Sequence, residues 1–492
     1  MIKRLVQAGL ALLAALVALA VVVAGNTWRR PSLQLQMPPI QKAAVDERAA
    51  AQRLAGAIPI RTVSSFEGLQ QNGEEFKKLH AYLAQQFPKL HATLKKEVIG
   101  DNALLYTWTG SDPSARPIAL MAHQDVVPIA PGTEKAWEVD PFSGEIKDGF
   151  IWGRGAWDNK GNLLAQMEAV EMLLAQGFQP RQTIYLVAGD DEEVSGLRGA
   201  RPIAELLKSR GVKLEWVLDE GLLVTEGVLP GLDKPAALIG LAEKGYGTFF
   251  LSLDVPPGHS SMPPSRTAIG SMSAALARLE ADPMPAAISG VAGEMFATLA
   301  PEMSGFNRIA LSNLWLFGPV VQGQLEKGAS SNAMLRTTTA LTIVRAGNKD
   351  NVLPGRAEAA VNFRVLPGDS LASAEAHLRK TLANDAIAIK AYPGNSEPSP
   401  VSSTDSLGYR TIAQSVRQVF PEAVVAPGLM IAATDSRHFS IISDAVYRFS
   451  PVRAKPEELP RFHGTNERIS IANYVEMIQF YHQLLRNTAQ PQ

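Results

Sequence analysis

Three short apolar segments in the first half of the chain each end directly in acidic or imidazole side chains. The segments and the polar residues that follow them are 117–122 with His123 and Asp125, 183–188 with Asp190 to Glu193, and 214–218 with Asp219 and Glu220. Apolar strands that alternate with helices are typical of an α/β domain with a mostly parallel central sheet. Ligands bind at the carboxyl ends of the strands in such sheets. We therefore expect these polar side chains to meet at one edge of one sheet.

The composition excludes several classes of function. The chain has 492 residues and is 46% hydrophobic, which suits two or three folded units. Its 47 Lys and Arg balance 48 Asp and Glu, so the net charge of -1 offers no field for nucleic acid, and we predict no such partner. The absence of cysteine excludes disulfides, thiolate metal sites and cysteine nucleophiles. Any metal must be held by histidines and carboxylates.

Residues 5–25 form an apolar segment that only Gln7 interrupts. A helix of this length spans roughly 30 Å, enough to cross a bilayer. Signal peptides usually have a shorter apolar region of about 7 to 15 residues, although Val22 and Ala24 would suit a cleavage site. The length favours a transmembrane anchor with an exported, periplasmic or extracellular catalytic domain. A cleaved signal and a secreted protein remain the alternative.

The remaining pattern predicts three regions. Residues 26–42 contain prolines and no helical period, which indicates a linker. Strand and helix patterns over 243–395 follow the order β-α-β-β-α-β, which predicts an inserted ferredoxin-like domain. A segment rich in Gly, Pro and Met, 283–330, interrupts it as an insertion. The α/β catalytic domain then comprises 43–242 and 396–488.

A fourth polar segment places Asp158 on a glycine-rich turn before a long helical pattern. Carboxylates gathered at one place repel one another unless a cation lies among them. Zinc accepts imidazole and carboxylate ligands, and two-metal hydrolases hold their ions about 3.5 to 4 Å apart. Taken singly, His123 could be an ordinary polar residue, Glu193 a residue of a helix first turn and Asp158 a helix cap. Their joint occurrence favours a metal site.

The polar segments resemble the motifs of the di-zinc metallopeptidases, a family that includes carboxypeptidase S, glutamate carboxypeptidase, aminoacylase and the N-fatty-acyl-amino-acid hydrolases. The resemblance extends from about residue 45 to 488, and it depends on five segments in the family's order: HQDVVP at 123–128, GRGAWDNKG at 153–161, DEEVSG at 191–196, LDEG at 218–221 and FHGTNE at 462–467. This family resemblance implies two zinc ions per chain. The implied ligands are His123 and Asp219 for one ion, Glu193 and His463 for the other, and Asp158 bridging both.

The resemblance also implies roles for residues that do not bind metal. Glu192 corresponds to the general base, which takes a proton from the attacking water and passes it to the leaving amine. Asp125 would orient the imidazole of His123. The family resemblance implies that the inserted domain, 243–395, is a lid and dimerisation domain. Its His259 would stabilise the tetrahedral oxyanion, either within its own chain or across a homodimer. Asn332 and Arg364 would hold the substrate's free carboxylate, a task that suits the planar guanidinium.

We therefore predict zinc-dependent hydrolysis of an amide or peptide bond next to a free carboxylate. The substrate would be a small molecule, either a peptide or an N-acyl amino acid, as for a carboxypeptidase or an aminoacylase. One alternative is a membrane-tethered binding protein that keeps the metal site as a scaffold without turnover. That alternative predicts loss of Glu192 or of a ligand, and all are present. A hydrolase with a single metal ion is the second alternative, and metal content distinguishes it.

Overall fold

The computed structural model describes residues 2–64 and 72–489. The helices are α1 (Ile2–Arg29), α2 (Glu47–Ala57), α3 (Gly73–Gln86), α4 (Pro88–Thr93), α5 (Lys160–Ala175), α6 (Ala200–Ser209), α7 (Ala268–Ala281), α8 (Gly290–Leu299), α9 (Gly305–Ser312), α10 (Leu314–Leu325), α11 (Ala329–Leu335), α12 (Leu371–Leu382), α13 (Leu407–Val419) and α14 (Ile471–Thr488). The strands are β1 (Lys95–Ile99), β2 (Ala103–Trp108), β3 (Ile118–His123), β4 (Ile146–Lys147), β5 (Phe150–Trp152), β6 (Ile184–Gly189), β7 (Val217–Thr225), β8 (Ala236–Glu243), β9 (Gly245–Asp254), β10 (Gly258–His259), β11 (Thr338–Ala346), β12 (Val352–Leu353), β13 (Arg356–Val365), β14 (Ala388–Ala391), β15 (Val424–Met430), β16 (Val446–Ala454) and β17 (Arg468–Ser470).

The largest sheet is mixed, so the prediction of a mostly parallel sheet was too simple. Its order is β1-β2-β6-β3-β7-β16-β8-β15, and the four adjacent strands β6, β3, β7 and β16 run parallel. The strands outside this group include antiparallel neighbours because short connections create hairpins. Residues 226–235 join β7 to β8, which pair antiparallel at Val224 and Ala237. Sequence periodicity reports burial but does not report strand direction.

The parallel strands are buried on both faces. Every side chain of β3 is buried, as expected for a strand covered by helices on both sides. Helices α5 and α14 pack together on one face, while α6 packs with residues 435–441 on the other. Helix α5 ends at Ala175, and Gly177 two residues later has a φ of +70°, which allows the left-handed turn that caps the helix. This layering fixes the strand ends at which the polar segments begin.

Residues 245–391 contain a second sheet with its own core. Its order is β11-β13-β9-β14, all pairs are antiparallel, and α7 and α12 pack against it. Along the chain these elements follow one another as strand, helix, strand, strand, helix, strand. The buried rings of Phe249 and Phe363 meet edge to face in the core of this inserted unit.

The segment 283–330 is largely helical and contains α8, α9 and α10. Its buried side chains pack against the edge strand of the large sheet, since Met295 and Phe296 of α8 share a core with Val424 and Ala426 of β15. The insertion is therefore attached to the edge of the large sheet.

Helix α1 is exposed over most of its length. Among the described residues it is the one helix long and apolar enough to cross a membrane. The following segment, predicted as a linker, has no regular structure from residue 30 but is attached to the large sheet. The Gln34 side chain donates to Val425 O at 2.9 Å and accepts from Val425 N at 2.7 Å.

Candidate metal centre

The carboxyl ends of three neighbouring strands lie together at one edge of the large sheet. His123, the last residue of β3, pairs with Gly189 at the end of β6. On the other side of β3, Leu120 pairs with Leu218 of β7, so Asp219 lies level with the end of β3. The polar residues that follow the three apolar segments therefore occupy one edge.

His123 is buried at the centre of this edge. Its Nε2 lies 3.0 Å from Asp158 Oδ1 and 3.2 Å from Glu220 Oε1. Its Nδ1 lies 2.9 Å from the backbone oxygen of Asp125 and 3.3 Å from that residue's Oδ1. Burial alone would lower the pKa of His123, but Glu220, Asp125 and Asp158 outweigh it and raise the pKa well above its ordinary value. The contacts of Nδ1 with Asp125 thus orient the imidazole, and Nε2 faces the carboxylates of Asp158 and Glu220.

His463 approaches Asp158 from the other side. Its Nε2 lies 2.7 Å from Asp158 Oδ2 and 3.3 Å from Glu193 Oε2. The backbone of His463 has a φ of +58°, a conformation that is uncommon for residues with a side chain and that recurs at functional sites. The His463 side chain is 43% exposed and that of His123 is 2% exposed. The site therefore opens to solvent on the His463 side.

Two groups of potential ligands share Asp158. One consists of His123, Asp158 and Glu220, and the other of Asp158, Glu193 and His463, each with its ligand atoms within 4.8 Å of one another. Burial would raise the pKa of Asp158, but hydrogen bonds from both histidines outweigh it and hold the pKa below its ordinary value. Burial raises the pKa of Glu220 to about 8 and that of Glu193 to about 7. In both residues burial is the largest cause, and the charge of the neighbouring Asp158 raises the pKa further.

Glu220, the residue after the predicted ligand Asp219, has its Oε1 3.2 Å from His123 Nε2. Asp219 accepts hydrogen bonds from the backbone of Glu220 at 2.9 Å and of Ser436 at 2.8 Å, and it is in none of the ligand groups formed by residues 2–64 and 72–489. Successive side chains of a strand point to opposite faces, so one of the two acidic residues of the LDEG segment faces the site. That alternation was the available signal for Glu220.

Asp125 holds the segment that carries both glutamates. Its carboxylate accepts hydrogen bonds from the backbone N–H of Glu192 and of Glu193, both at 3.2 Å, and from the Ser64 hydroxyl at 2.5 Å. Since Asp125 also contacts His123, it positions the imidazole relative to the two glutamates. Glu192 lies within 4.8 Å of His123 and Glu193, and burial raises its pKa well above the ordinary value.

A buried ion pair braces the turn that carries Asp158. Glu467 accepts hydrogen bonds from the backbone of Gly155, Trp157 and Asp158 at 2.9, 2.9 and 3.1 Å. Arg154 donates to Glu467 at 2.5 Å and to the His463 backbone oxygen at 3.1 Å. This pair fixes Asp158 relative to His463. Both residues lie in the motifs that carry the family resemblance, but sequence reasoning gave them no role.

The segment around Asp435 packs against the glutamate-bearing turn. Asp435 is 3% exposed, and burial followed by the neighbouring Asp219 raises the pKa of its carboxyl well above the ordinary value. Gly196, with a φ of +65°, passes so close that an added Cβ would lie 1.9 Å from the Asp435 carboxylate. Only glycine fits at this position of the DEEVSG segment.

The three residues assigned to the inserted domain lie outside the two ligand groups. His259 is exposed on a two-stranded arm formed by β10 and β12, where its Nδ1 lies 2.8 Å from the Ser261 hydroxyl. Asn332 lies on α11, and its Oδ1 is buried without a hydrogen-bond partner among the described residues. Arg364 lies on β13, with its guanidinium 4.8 Å from the ring of Tyr246.

Positive charge gathers around Arg364. Burial lowers the pKa of Arg364, and the neighbouring Arg437 lowers it further. Lys244 is also close, and burial followed by Arg364 lowers its pKa to about 7. Arg364 makes no ion pair with the residues in 2–64 or 72–489. The Arg437 guanidinium donates to Ser195 O at 2.8 Å, which places this positive cluster beside the glutamate-bearing turn.

Comparisons with known proteins identify the family and the fold. The sequence profile of peptidase family M20/M25/M40 matches residues 119–487. The chain is 43% identical over 437 residues to the N-fatty-acyl-amino acid synthase/hydrolase PM20D1.1 of Danio rerio, covering 88% of this chain and 84% of that protein. It is 42% identical over 442 residues to the probable carboxypeptidase S-like 2 of Dictyostelium discoideum, covering 89% and 85%. The solved structure of the M20 family metallo-carboxypeptidase Sso-CP2 from Sulfolobus solfataricus superposes on this chain with a TM-score of 0.66 at 19% sequence identity. The superposition covers 91% of this chain and all of that one, so the two proteins share a fold.

Proposed function

Because the chain belongs to peptidase family M20/M25/M40 and is an enzyme of the metallopeptidase and amidohydrolase kind, we propose that it hydrolyses an amide bond next to a free carboxylate. The substrate is an N-acyl amino acid or the C-terminal residue of a peptide. The relatives' names support these two substrate classes, and the positive cluster at Arg364 supports the requirement for a carboxylate.

The position of Asp158 between two imidazoles is the observation that carries the proposal. Its Oδ1 faces His123 and its Oδ2 faces His463, and each histidine has a further carboxylate within 3.3 Å. Two ligand groups that share one carboxylate are the arrangement expected of a two-metal hydrolase. Peptidases of this family are typically metal-dependent.

The donor set fits zinc. The site offers imidazole nitrogens and carboxylate oxygens, and Glu193 Oε1 is buried without a hydrogen-bond partner among the described residues. We assign His123, Asp158 and Glu220 to one zinc ion and Asp158, Glu193 and His463 to the other. Zinc would supply positive charge that lowers the pKa of water and polarises the substrate carbonyl. In this assignment Asp219 supports the edge through Ser436 and Glu220 replaces it as the ligand.

Glu192 is the general base in this proposal. Its side chain lies beside His123 and Glu193, and the Asp125 carboxylate fixes its backbone. Glu192 accepts a proton from the attacking water and delivers it to the nitrogen of the leaving amine. A carboxyl whose pKa is raised by burial can act in both steps, since it holds a proton readily and releases it to a stronger base.

The inserted domain completes the site in our proposal. Arg364 pairs with the substrate carboxylate, which would relieve its repulsion with Lys244 and Arg437. Asn332 would bind that carboxylate through its Nδ2 amide group, which donates hydrogen bonds, because its Oδ1 can only accept them. His259 is exposed away from the ligand groups, so we infer that it reaches the oxyanion of a partner subunit in a homodimer. This domain, 243–395, is a ferredoxin-like lid on a catalytic domain of 43–242 and 396–488.

We also propose that α1 anchors the protein in a membrane with the catalytic domain exported. Its length and composition support this placement. If α1 is cleaved as a signal sequence, the catalytic domain is secreted.

A substrate screen tests the proposed function. The full chain, purified in detergent and loaded with zinc, is assayed with dipeptides, N-acyl amino acids of increasing chain length, and the same acyl amino acids with the carboxylate converted to an amide. We expect hydrolysis only of compounds with the free carboxylate. Glu192→Gln should bind zinc normally and lose about 10²- to 10⁴-fold in kcat, the usual contribution of a general base.

Equal rates on the carboxylate and amide forms would contradict the proposed substrate class. Normal kcat in Glu192→Gln would remove Glu192 from the mechanism. A matched control is Glu205→Gln, because Glu205 is exposed on α6, where it pairs with Arg201 on the same helix. This control should leave hydrolysis unchanged.

A further inference from the structure

Helix α10 is rich in apolar residues, but it is packed on one side only. Its sequence, LWLFGPVVQGQL, contains no charged residue, and none of its side chains is fully buried. Leu314, Val321 and Leu325 pack against the core that α8 shares with β15. On the remaining surface Trp315 is 60% exposed, Val320 is 58% exposed and Leu316 is 37% exposed. The described residues leave this side of the helix uncovered.

The preceding helix extends this surface. Phe306 of α9 is 60% exposed, and its ring meets that of Phe317 of α10 edge to face at 5.6 Å. We call the exposed side chains of this helix pair, Phe306, Trp315, Leu316 and Val320, the α9–α10 patch. A group of exposed large apolar side chains marks an interaction site for a protein or a membrane.

The α9–α10 patch is joined directly to α1. Asn313, fully buried between α9 and α10, donates to Thr27 Oγ1 at 3.1 Å and to Val23 O at 3.3 Å. Its Oδ1 accepts from Asn26 at 3.1 Å and from the Trp315 indole at 3.3 Å. The last turns of α1 are therefore seated on the junction between α9 and α10, with Trp315 beside them.

The free part of α1 has the length of a bilayer core. Residues 2–22 are exposed almost throughout, whereas 23–27 include the positions packed on α9. Twenty-one helical residues span about 31 Å, close to the roughly 30 Å of a hydrocarbon core. The bilayer surface would then lie near Val22, about one helical turn from Asn26, whose side chain shares Asn313 Oδ1 with the Trp315 indole. Exposed Trp28, followed by Arg29 and Arg30, has the composition found at membrane interfaces.

The chain beyond α1 holds this orientation. Gln34 binds both backbone atoms of Val425 on the edge strand β15, and Arg417 donates to Leu35 O at 3.2 Å. The insertion that carries α9 and α10 packs on the same strand through α8. Helix α1 and the α9–α10 patch are thus fixed to one rigid edge of the large sheet.

We propose that the α9–α10 patch is embedded in the lipid bilayer that α1 crosses, so that the catalytic domain lies on the membrane surface. This inference rests on the membrane anchoring given under the proposed function. A bilayer is the occupant because the patch continues the apolar surface of α1 at the depth where that helix leaves the protein. An N-acyl amino acid with a long acyl chain would partition into the same bilayer, within reach of the enzyme.

The natural absence of cysteine permits a direct test. Single-cysteine variants Val320→Cys and Phe306→Cys of the full chain are labelled with a nitroxide and reconstituted in phosphatidylcholine vesicles that contain phosphatidylglycerol. Collisions with oxygen, which concentrates in lipid, and with a water-soluble nickel chelate are then measured. Val17→Cys, exposed in the middle of α1, is the lipid reference, and Val344→Cys, 61% exposed on β11, is the water reference. Hydrolysis by each labelled variant confirms that it is folded.

We expect labels at positions 320 and 306 to show an oxygen-to-nickel ratio several-fold above that at position 344 and approaching that at position 17. A ratio at 320 and 306 equal to that at 344, with position 17 in lipid, would overturn the inference and leave the anchor intact. Protection from both probes, with dipolar broadening between labels, would assign the patch to a second copy of the chain and also overturn the inference. An aqueous ratio at position 17 would overturn the anchoring and the docking together.

Discussion

Asp158 is the residue on which the site depends most. Its two oxygens face different imidazoles, and its backbone N–H is held by Glu467. The charge of the site follows from the same residues, because Glu193 and Glu220 have raised pKa values in the absence of a cation. Removing one member of such a network leaves the others with uncompensated charge.

The choice between Glu220 and Asp219 gives a prediction at this scale. Glu220→Gln should remove one zinc ion per chain and abolish hydrolysis, because Glu220 lies 3.2 Å from His123. Asp219→Asn keeps an acceptor for the Ser436 N–H and should keep both ions, with affinity lowered by about 10- to 100-fold, as for other residues that support a ligand. Metal content and zinc affinity of the two purified variants decide the point. The reverse pattern would restore Asp219 as the ligand.

Much of the site could be read from the sequence at the residue scale, but not all. His123, Asp158 and Glu193 were expected to meet because their segments follow strands or a glycine-rich turn, and His463 because the family resemblance implied it. The structure brings all four together. The brace between Arg154 and Glu467 joins positions 313 residues apart, and no local pattern indicates such a pair. Whether Asp219 or Glu220 faces inward depends on the pleat of one strand, which composition does not report.

The strands and helices, like the site residues, could be predicted from the sequence only in part. The predicted strands 117–122 and 183–188 agree with β3 and β6 within one residue. Strand β7 was predicted to end at residue 218 but extends to Thr225. Its polar residues Asp219 and Glu220 read as a loop, whereas pairing with β16 and β8 continues the strand. Tertiary pairing here outweighs local preference.

Helix α14 gives a prediction about pH. His482 is 5% exposed, its Nε2 has no hydrogen-bond partner among the described residues, and burial followed by Arg486 lowers its pKa to about 4. The unfolded chain has a histidine pKa of about 6.5, so folding favours the neutral ring. This contribution to stability is complete above about pH 6.5 and is lost as the pH falls toward 4. Between pH 8 and pH 5 the loss amounts to about 2 kcal/mol.

Urea unfolding at pH 8 and pH 5 measures this effect. His482→Leu should make the free energy of unfolding less dependent on pH than it is in the wild type, by about 2 kcal/mol over the same interval. His377→Leu serves as control, since His377 on α12 is partly exposed and its Nε2 lies 2.9 Å from the backbone oxygen of Asp282. An unchanged pH dependence in His482→Leu would show that the buried ring does not remain neutral in the folded protein.

The whole molecule joins two folded units whose contributions to the site differ. The large sheet supplies both ligand groups, and in our proposal the inserted unit, which carries Arg364, Asn332 and His259, completes the site. The insertion packs on the edge of the large sheet beside α1, which is the contact on which the proposed membrane placement depends. Sequence patterns predicted the existence of these parts, but their contacts arise between segments hundreds of residues apart.

Complementation between subunits tests the role of His259. His259→Ala and Glu192→Gln should each be nearly inactive when expressed alone. If His259 acts across a homodimer, a mixed dimer of the two variants contains one site with an intact Glu192 and an intact partner histidine. Co-expression should therefore restore a substantial fraction of wild-type hydrolysis. Continued inactivity of a purified mixed dimer would place His259 in the site of its own chain.

Zinc stoichiometry tests the two-metal site most directly. The full chain is depleted of metal with a chelator and titrated with zinc while bound zinc and hydrolysis are measured together. The shared position of Asp158 predicts that hydrolysis reaches its maximum at two zinc ions per chain, and that Asp158→Asn weakens the binding of both. Full hydrolysis with one bound zinc ion per chain, or loss of only one ion in Asp158→Asn, would contradict a site built on a shared carboxylate.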